Sequence, residues 1–141
     1  MTSSAELIAK LKEFEGLRLR AYQCSAGVWT IGYGHTRGVS SGMRISASEA
    51  DSLLREDLVR CERYVNSLGC LDTQGQFDAV VDFVFNLGAS RFSHSTLLKR
   101  IKQHASPDVI RSEFLRWVYA GGKALAGLRR RREWEAGRYF E

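Results

Sequence analysis

"EGLRLRAYQCSAGVWTIGYGHT", residues 15–36, sets an acid, a thiol and a hydroxyl along a chain whose periodicity changes as it runs. Eight residues separate Glu15 from Cys24 and five separate Cys24 from Thr30. The pieces "RLRAYQ" and "VWTIGYG", with "MRI" at 43–45, are short and β-prone and have glycine and serine between them. They predict a small antiparallel sheet from Leu17 to Met43.

On the N-terminal side, Leu7, Ile8, Leu11 and Phe14 recur at helical spacing behind Ser3 and Ser4, either of which can cap. The pattern predicts a helix over 4–14, with Glu15 at its C-terminal end and Gly16 as the stop. There the helix dipole opposes a carboxylate, so a charged acid gains nothing structural from the position. On the C-terminal side, "ISASEADSLLREDLVRCERYVNSL" opens with the capping-box pair Ser46 and Glu49 and shows Leu53, Leu54, Leu58, Val65 and Leu68 on one face. This is the longest predicted helix, and it joins the sheet to the rest.

"TQGQFDAVVDFVFNLG" is apolar almost all round and predicts a central helix stopped at Gly88; its Asp78, Asp82 and Asn86, four apart, share a stripe. Two further helices are expected at about 92–102 and 107–119, the second with Ser106 as N-cap and Pro107 at the first helical position. "AGGKALAG" then breaks the chain before a basic helix starting near Leu128. The fold class is α+β, with a sheet lobe at about 15–45, a linking helix at about 46–68, and a helical lobe at about 69–141 that includes the N-terminal helix.

The chain has 141 residues, 44% hydrophobic and 26% charged, which is the composition of a folded domain rather than a disordered tail. A net charge of +5 implies an anionic partner, and nucleic acid, anionic lipid and acidic wall polymer all satisfy that. Cys24, Cys61 and Cys70 are odd in number and lack zinc-ligand spacing, which argues against a disulfide framework or a structural metal. The first 16 residues carry polar or charged groups every few positions, so neither a signal peptide nor a membrane anchor is read there. Synthesis in the cytoplasm follows, with release by some other agent.

Glu15, Cys24 and Thr30 are the candidate catalytic residues, because the helix end and the hairpin bring them to the meeting of two lobes, where a cleft can hold a polymer. Glycosidic cleavage needs a proton donor on one face and a nucleophile or water-activating base on the other. Glu15 suits the first role if an apolar wall and the helix end favour its protonated form. Thr30 can orient water, being donor and acceptor at once.

The spacing Glu, eight residues, Asp or Cys, five residues, Thr resembles that of the phage-type lysozymes, glycoside hydrolase family 24. "EGLRLRAY", "TIGYGHT", "QFDAVVDFVFNLG", "STLLKRI", "WVYAGGK", "GL" at 127–128 and "RRRE" at 130–133 extend the likeness over nearly the whole chain. The resemblance implies an α+β fold of sheet lobe, long helix and helical lobe. It also implies hydrolysis of the β-1,4 bond between N-acetylmuramic acid and N-acetylglucosamine in peptidoglycan, without a cofactor.

Cys24 departs from the commoner Asp. A thiol with a pKa of about 8.5 is mostly protonated at neutral pH, so base or nucleophile both stay open, as does inversion or retention. The resemblance further implies a His35–Asp57 pair, an arginine reaching back to Glu15, here Arg131, and an Asn86 side chain accepting the indole N–H of Trp117. Gly32 and Gly34 are expected to let the strand lie against the sugar chain, with Thr36 and Arg131 also on the substrate.

Competing readings stand beside these. His35 has no second ligand at metal spacing, and "GYGHTRG" is not followed by a phosphate-binding helix. The arginine run 129–132 can bind nucleic-acid phosphates, but Glu133 and Glu135 interrupt it, and a solvated helix face is the commoner outcome. Asp78 and Asp82 lie on one face, cannot straddle a bond, and read as solvated. Trp29 and Tyr33 fit either sugar stacking or packing within the sheet lobe. The expected protein is a monomeric endolysin-like muramidase, freed through a holin lesion, without nucleic-acid binding or stable membrane insertion. Its rival is a catalytically weak wall- or nucleic-acid-binding module.

Overall fold

A computed structural model describes residues 1–141. Helix α1, Ala5–Glu15, starts where the Ser4 side chain accepts the Leu7 N–H and ends at Gly16, whose φ of 70° turns the chain out of the helix. Leu7 and Leu11 are its buried face. Two strands follow, β1 at Arg18–Gln23 and β2 at Trp29–Gly32, antiparallel with Tyr22 opposite Thr30 and Gln23 opposite Trp29. The expected third strand is a correction: "MRI" contributes only a bridge between Arg20 and Arg44, fixed by Ala21 N–H to Met43 O and Ile45 N–H to Leu19 O. Glycine and serine on either side of so short a piece leave too little extended chain to build a ladder.

Helix α2, Ala47–Ser67, opens on the predicted capping box, with Ser46 and Glu49 each bonding the other's backbone N–H. A cap of this kind is worth about 1 kcal/mol. Its buried stripe is Ala50, Leu54, Leu58 and Val65, while Leu53 and Leu68 are half-buried. Helix α3, Gln74–Leu87, is capped by Thr73, stopped at Gly88, and buried without interruption from Phe77 to Val84. It is the hydrophobic axis of the larger lobe, with Phe83 meeting Phe92, Phe114 and Trp117 edge-on.

Beyond α3 the boundaries depart from the sequence pattern. The helix expected at 92–102 is two, α4 at Ala89–Ser93 and α5 at Thr96–Lys102, because the Ser95 hydroxyl gives its proton to Phe92 O and caps Leu98 N–H. Helix α6 runs Pro107–Leu115, and Ser106 makes no side-chain cap bond. Residues 116–119, expected to extend it, lead instead into a hairpin of β3, Tyr119–Ala120, and β4, Lys123–Ala124. Gly121 and Gly122 make that turn with φ of 58° and 79°, the left-handed pair a two-residue hairpin requires. Helix α7, Ala126–Arg138, then packs against α3 and α6. Gly75 lies under its end: a Cβ there would clash with Arg138 O and come within 2.6 Å of Glu141 O.

Asp78 and Asp82 correct the expectation of a solvated stripe, since both are fully buried. A helix apolar all round has no face left for water, so its acids must find cations inside the protein. Asp78 accepts from Arg138, Gln74 Nε2 and the backbone and hydroxyl of Ser4, and so ties α1 and α7 to the start of α3.

Candidate active site

Glu15 is the last residue of α1, one step before the chain turns into the sheet. Its side chain is 20% exposed, and Oε2 accepts from Arg131 Nη1 at 2.6 Å. Arg131 arises from α7 and is itself 5% exposed. Two of its nitrogens, Nε and Nη2, donate to Asp82 at 2.9 and 3.0 Å, and its guanidinium lies over the Phe14 ring at 5.2 Å. Burial works against the Arg131 charge, but the Asp82 and Glu15 carboxylates outweigh it and hold the group above the usual arginine range. The apolar wall expected around Glu15 is therefore corrected on this side, where a guanidinium stands instead.

The sheet lobe meets Glu15 through Gly34. A Cβ on Gly34 would lie 2.6 Å from Glu15 Oε1, and the residue has a φ of 78°. Backbone, and no side chain, can therefore cover this edge of the acid. Gly32 is a correction: it is buried, and a Cβ there would touch Ala50 Cβ and Ile45 Cδ1 at 3.4 Å. Its small size serves the packing of β2 on α2.

Cys24 follows β1 in the hairpin loop, where its N–H bonds Val28 O and its carbonyl accepts from Gly27 N–H. The backbone N–H groups of Val28 and Ala26, helped by the Thr30 hydroxyl, lower the thiol's pKa from its ordinary value. Thr30 is nearly buried in β2, and its hydroxyl also donates to Val28 O at 3.0 Å.

A hollow of about 250 Å³ opens between the lobes, lined by Gly34 and Thr36 from the sheet side, Asp57, Arg60 and Cys61 from α2, and Phe85 from α3. His35 is buried behind it, with Nδ1 at 2.8 Å from Asp57 and Nε2 donating to Arg37 O at 2.8 Å. Both ring nitrogens are thus engaged by hydrogen bonds within the protein. A second recess of about 260 Å³ holds Trp117 beside His94, Glu113 and Arg116. Trp29 is half-buried, and Tyr33, also half-buried, packs against the core with Lys12 5.5 Å from its ring centre.

Two further corrections come from α7. Asn86 Oδ1 accepts from Arg132 Nη2 at 2.9 Å, so the bond expected from the Trp117 indole is replaced, and Trp117 packs on Phe83 at 5.5 Å. The arginine run is not one solvated face either: Arg129 and Arg130 are exposed, whereas Arg131 and Arg132 are buried. Arg131, expected on the substrate, spends its donors on Asp82 and Glu15. Asp82, Arg132 and Glu135 are the members of this region that the sequence reading missed. The signal was present in acids placed inside a helix that is apolar all round and in an acid three or four positions after adjacent arginines.

A carboxyl pinned at the end of a helix, where a glycine-rich strand passes beside a cleft between a small sheet and a helical lobe, is the arrangement of a lysozyme-type glycoside hydrolase. The chain belongs to the phage lysozyme family, whose model matches residues 12–135. It is 40% identical over 140 residues to an endolysin of Acyrthosiphon pisum secondary endosymbiont phage 1, covering 96% of this chain and 95% of that relative. Among solved structures, the muramidase domain of SpmX from Asticaccaulis excentricus is similar at a TM-score of 0.88 and 38% identity, covering 98% of this chain and 97% of that one. An endolysin from Escherichia coli O157:H7 phage FAHEc1 is similar at 0.85 and 33% identity, covering 100% and 94%.

Proposed function

We propose that the protein hydrolyses the β-1,4 bond between N-acetylmuramic acid and N-acetylglucosamine in peptidoglycan, with Glu15 as proton donor and Cys24 and Thr30 on the opposite face. The observation that carries the reading is the Glu15 carboxyl, held by Arg131 and bordered by the bare backbone of Gly34. A sugar polymer lying along the cleft presents its leaving oxygen to Glu15. The lowered thiol of Cys24 supplies a thiolate as base or nucleophile, and Thr30 orients the attacking water. Purified protein is expected to clear a suspension of permeabilised bacteria and release reducing ends. A wall-binding module coats the cells without either effect.

Two variants divide the roles. Cys24→Ala is expected to lower turnover by about 100-fold or more, whereas Cys24→Asp restores a base at that place and retains activity. Undiminished turnover in the alanine variant removes Cys24 from the chemistry. Gly34→Ala drives a methyl group into Glu15 Oε1 and adds left-handed backbone strain of about 1–2 kcal/mol. Displacing the acid is expected to cost about 10- to 100-fold in kcat with the fold retained. Wild-type kinetics from this variant would show that Glu15 does not work from its observed position.

The positive balance of +5 steers the protein to acidic stem peptides, so clearing rates fall as salt rises. No helix is long and apolar enough to cross a membrane. The route proposed is synthesis in the host cytoplasm, passage through a holin lesion, and action on the wall as a monomer.

A further inference from the structure

Three carboxyl groups and two guanidinium groups share one interior cluster: Glu15 from α1, Asp82 from α3, and Arg131, Arg132 and Glu135 from α7. Asp82, Arg132 and Glu135 are wholly buried. Asp82 grips Arg131 at two points and leaves only Nη1 for Glu15. Glu135 pairs with Arg132 through Nε at 2.7 Å and Nη2 at 2.9 Å.

Buried except at Glu15, whose side chain is 20% exposed, the cluster is cheapest when neutral, and three acids against two cations are neutral with one proton among them. That proton has two places to reside. On the inner pair, it leaves Glu15 as the second counter-ion of the arginines. On Glu15, it leaves Asp82 and Glu135 both ionised, one for each guanidinium. We propose that Asp82 and Glu135 are positioning residues of the hydrolytic site, which set through Arg131 how readily Glu15 carries the proton it must donate. The inference rests on the assignment of Glu15 as donor.

The surroundings support it. Burial first, then the neighbouring Asp82 carboxylate, push Glu135 well above the usual carboxyl range, against the pull of Arg132 and Arg131. From α2, burial pushes the pKa of Cys61 up to about 11, so it stays neutral over the working range. From α1, Lys10 and Glu13 pair with each other at 3.3 Å and line, with Arg130, the hollow on the far side of Arg131. They add no net charge beyond that of Arg130. Asn86, the remaining partner of Arg132, does not titrate.

Asp82→Asn keeps the shape and removes one inner anion, so a protonated Glu15 then faces two guanidiniums with one counter-ion. The alkaline limb of the kcat/KM profile is expected to move to lower pH by about one unit, a ten-fold loss at a fixed pH on that limb. Glu135→Gln moves it in the same direction. A residue that only packs the core lowers the amplitude and leaves the limb in place, so a folded variant of either kind with an unmoved limb overturns the proposal. In the wild type, carboxyl-carbon NMR is expected to show the step of Glu15 mirrored at Glu135 or Asp82. Flat inner carboxyls while Glu15 titrates overturn the proposal even if neither variant folds. Full activity in Glu15→Gln defeats the donor assignment itself, whereas an inactive Glu15→Gln with an unmoved limb in Asp82→Asn defeats the positioning role alone.

Discussion

Glu15→Gln is expected to lose hydrolysis by about 100- to 10,000-fold while the protein stays folded and still binds wall polymer. The amide has the size and planar shape of the acid, and its oxygen can accept the 2.6 Å bond from Arg131 Nη1. What it cannot do is surrender a proton to the leaving sugar oxygen. Because Gly34 offers only backbone at Oε1, no neighbouring side chain on that edge can take over the task. The measurement is turnover from reducing-end release beside a sedimentation assay for cell binding. Retention of more than about a tenth of wild-type turnover would place the proton donor elsewhere.

The second large effect is on stability. Asp78→Ala strips the partner from Arg138, Gln74 and the Ser4 backbone and hydroxyl in one change. Arg138 keeps Glu6 and Glu141, but both are more than half exposed and screened by water, so they do not replace a buried carboxylate. Breaking a buried pair from one side costs about 3–5 kcal/mol, which for a chain of this size lowers the melting midpoint by about 10–20 °C. Thermal unfolding followed by circular dichroism checks it. Asp78→Asn, which still accepts two hydrogen bonds, is expected to fall between the alanine variant and wild type, and equal losses from the two would point to charge rather than shape as the whole contribution.

How far the sequence discloses this architecture depends on whether the deciding interaction is local. Ser4, Ser46 and Thr73 each cap the helix they precede, and Gly16 and Gly88 end the ones they follow, because a cap is a contact over three or four residues. The same locality was available at Ser95, yet Phe92, Leu97, Leu98 and Ile101 keep apolar periodicity through the break and conceal it. Glu15, Cys24 and Thr30 stand out by spacing. The environment of Glu15 does not, because its partner lies 116 positions away. Four successive arginines fix only that some must point inward. Asp82, 49 positions from Arg131, chooses that one, and Asn86 takes Arg132 in place of the indole. Asp78 and Asp82 were misread for the same reason, since a stripe of acids reads alike whether water or a distant guanidinium meets it.

The placement of α1 has a consequence for biosynthesis. Although it precedes them along the chain, this helix is fastened to α3 and α7, and the carboxyl at its end meets a guanidinium supplied by residue 131. A ribosome-bound chain that has extruded only the sheet and α2 thus carries every member of the Glu15, Cys24 and Thr30 set with the first of them unmoored. The acid therefore acquires its guanidinium partner only after the segment 126–138 has emerged and docked.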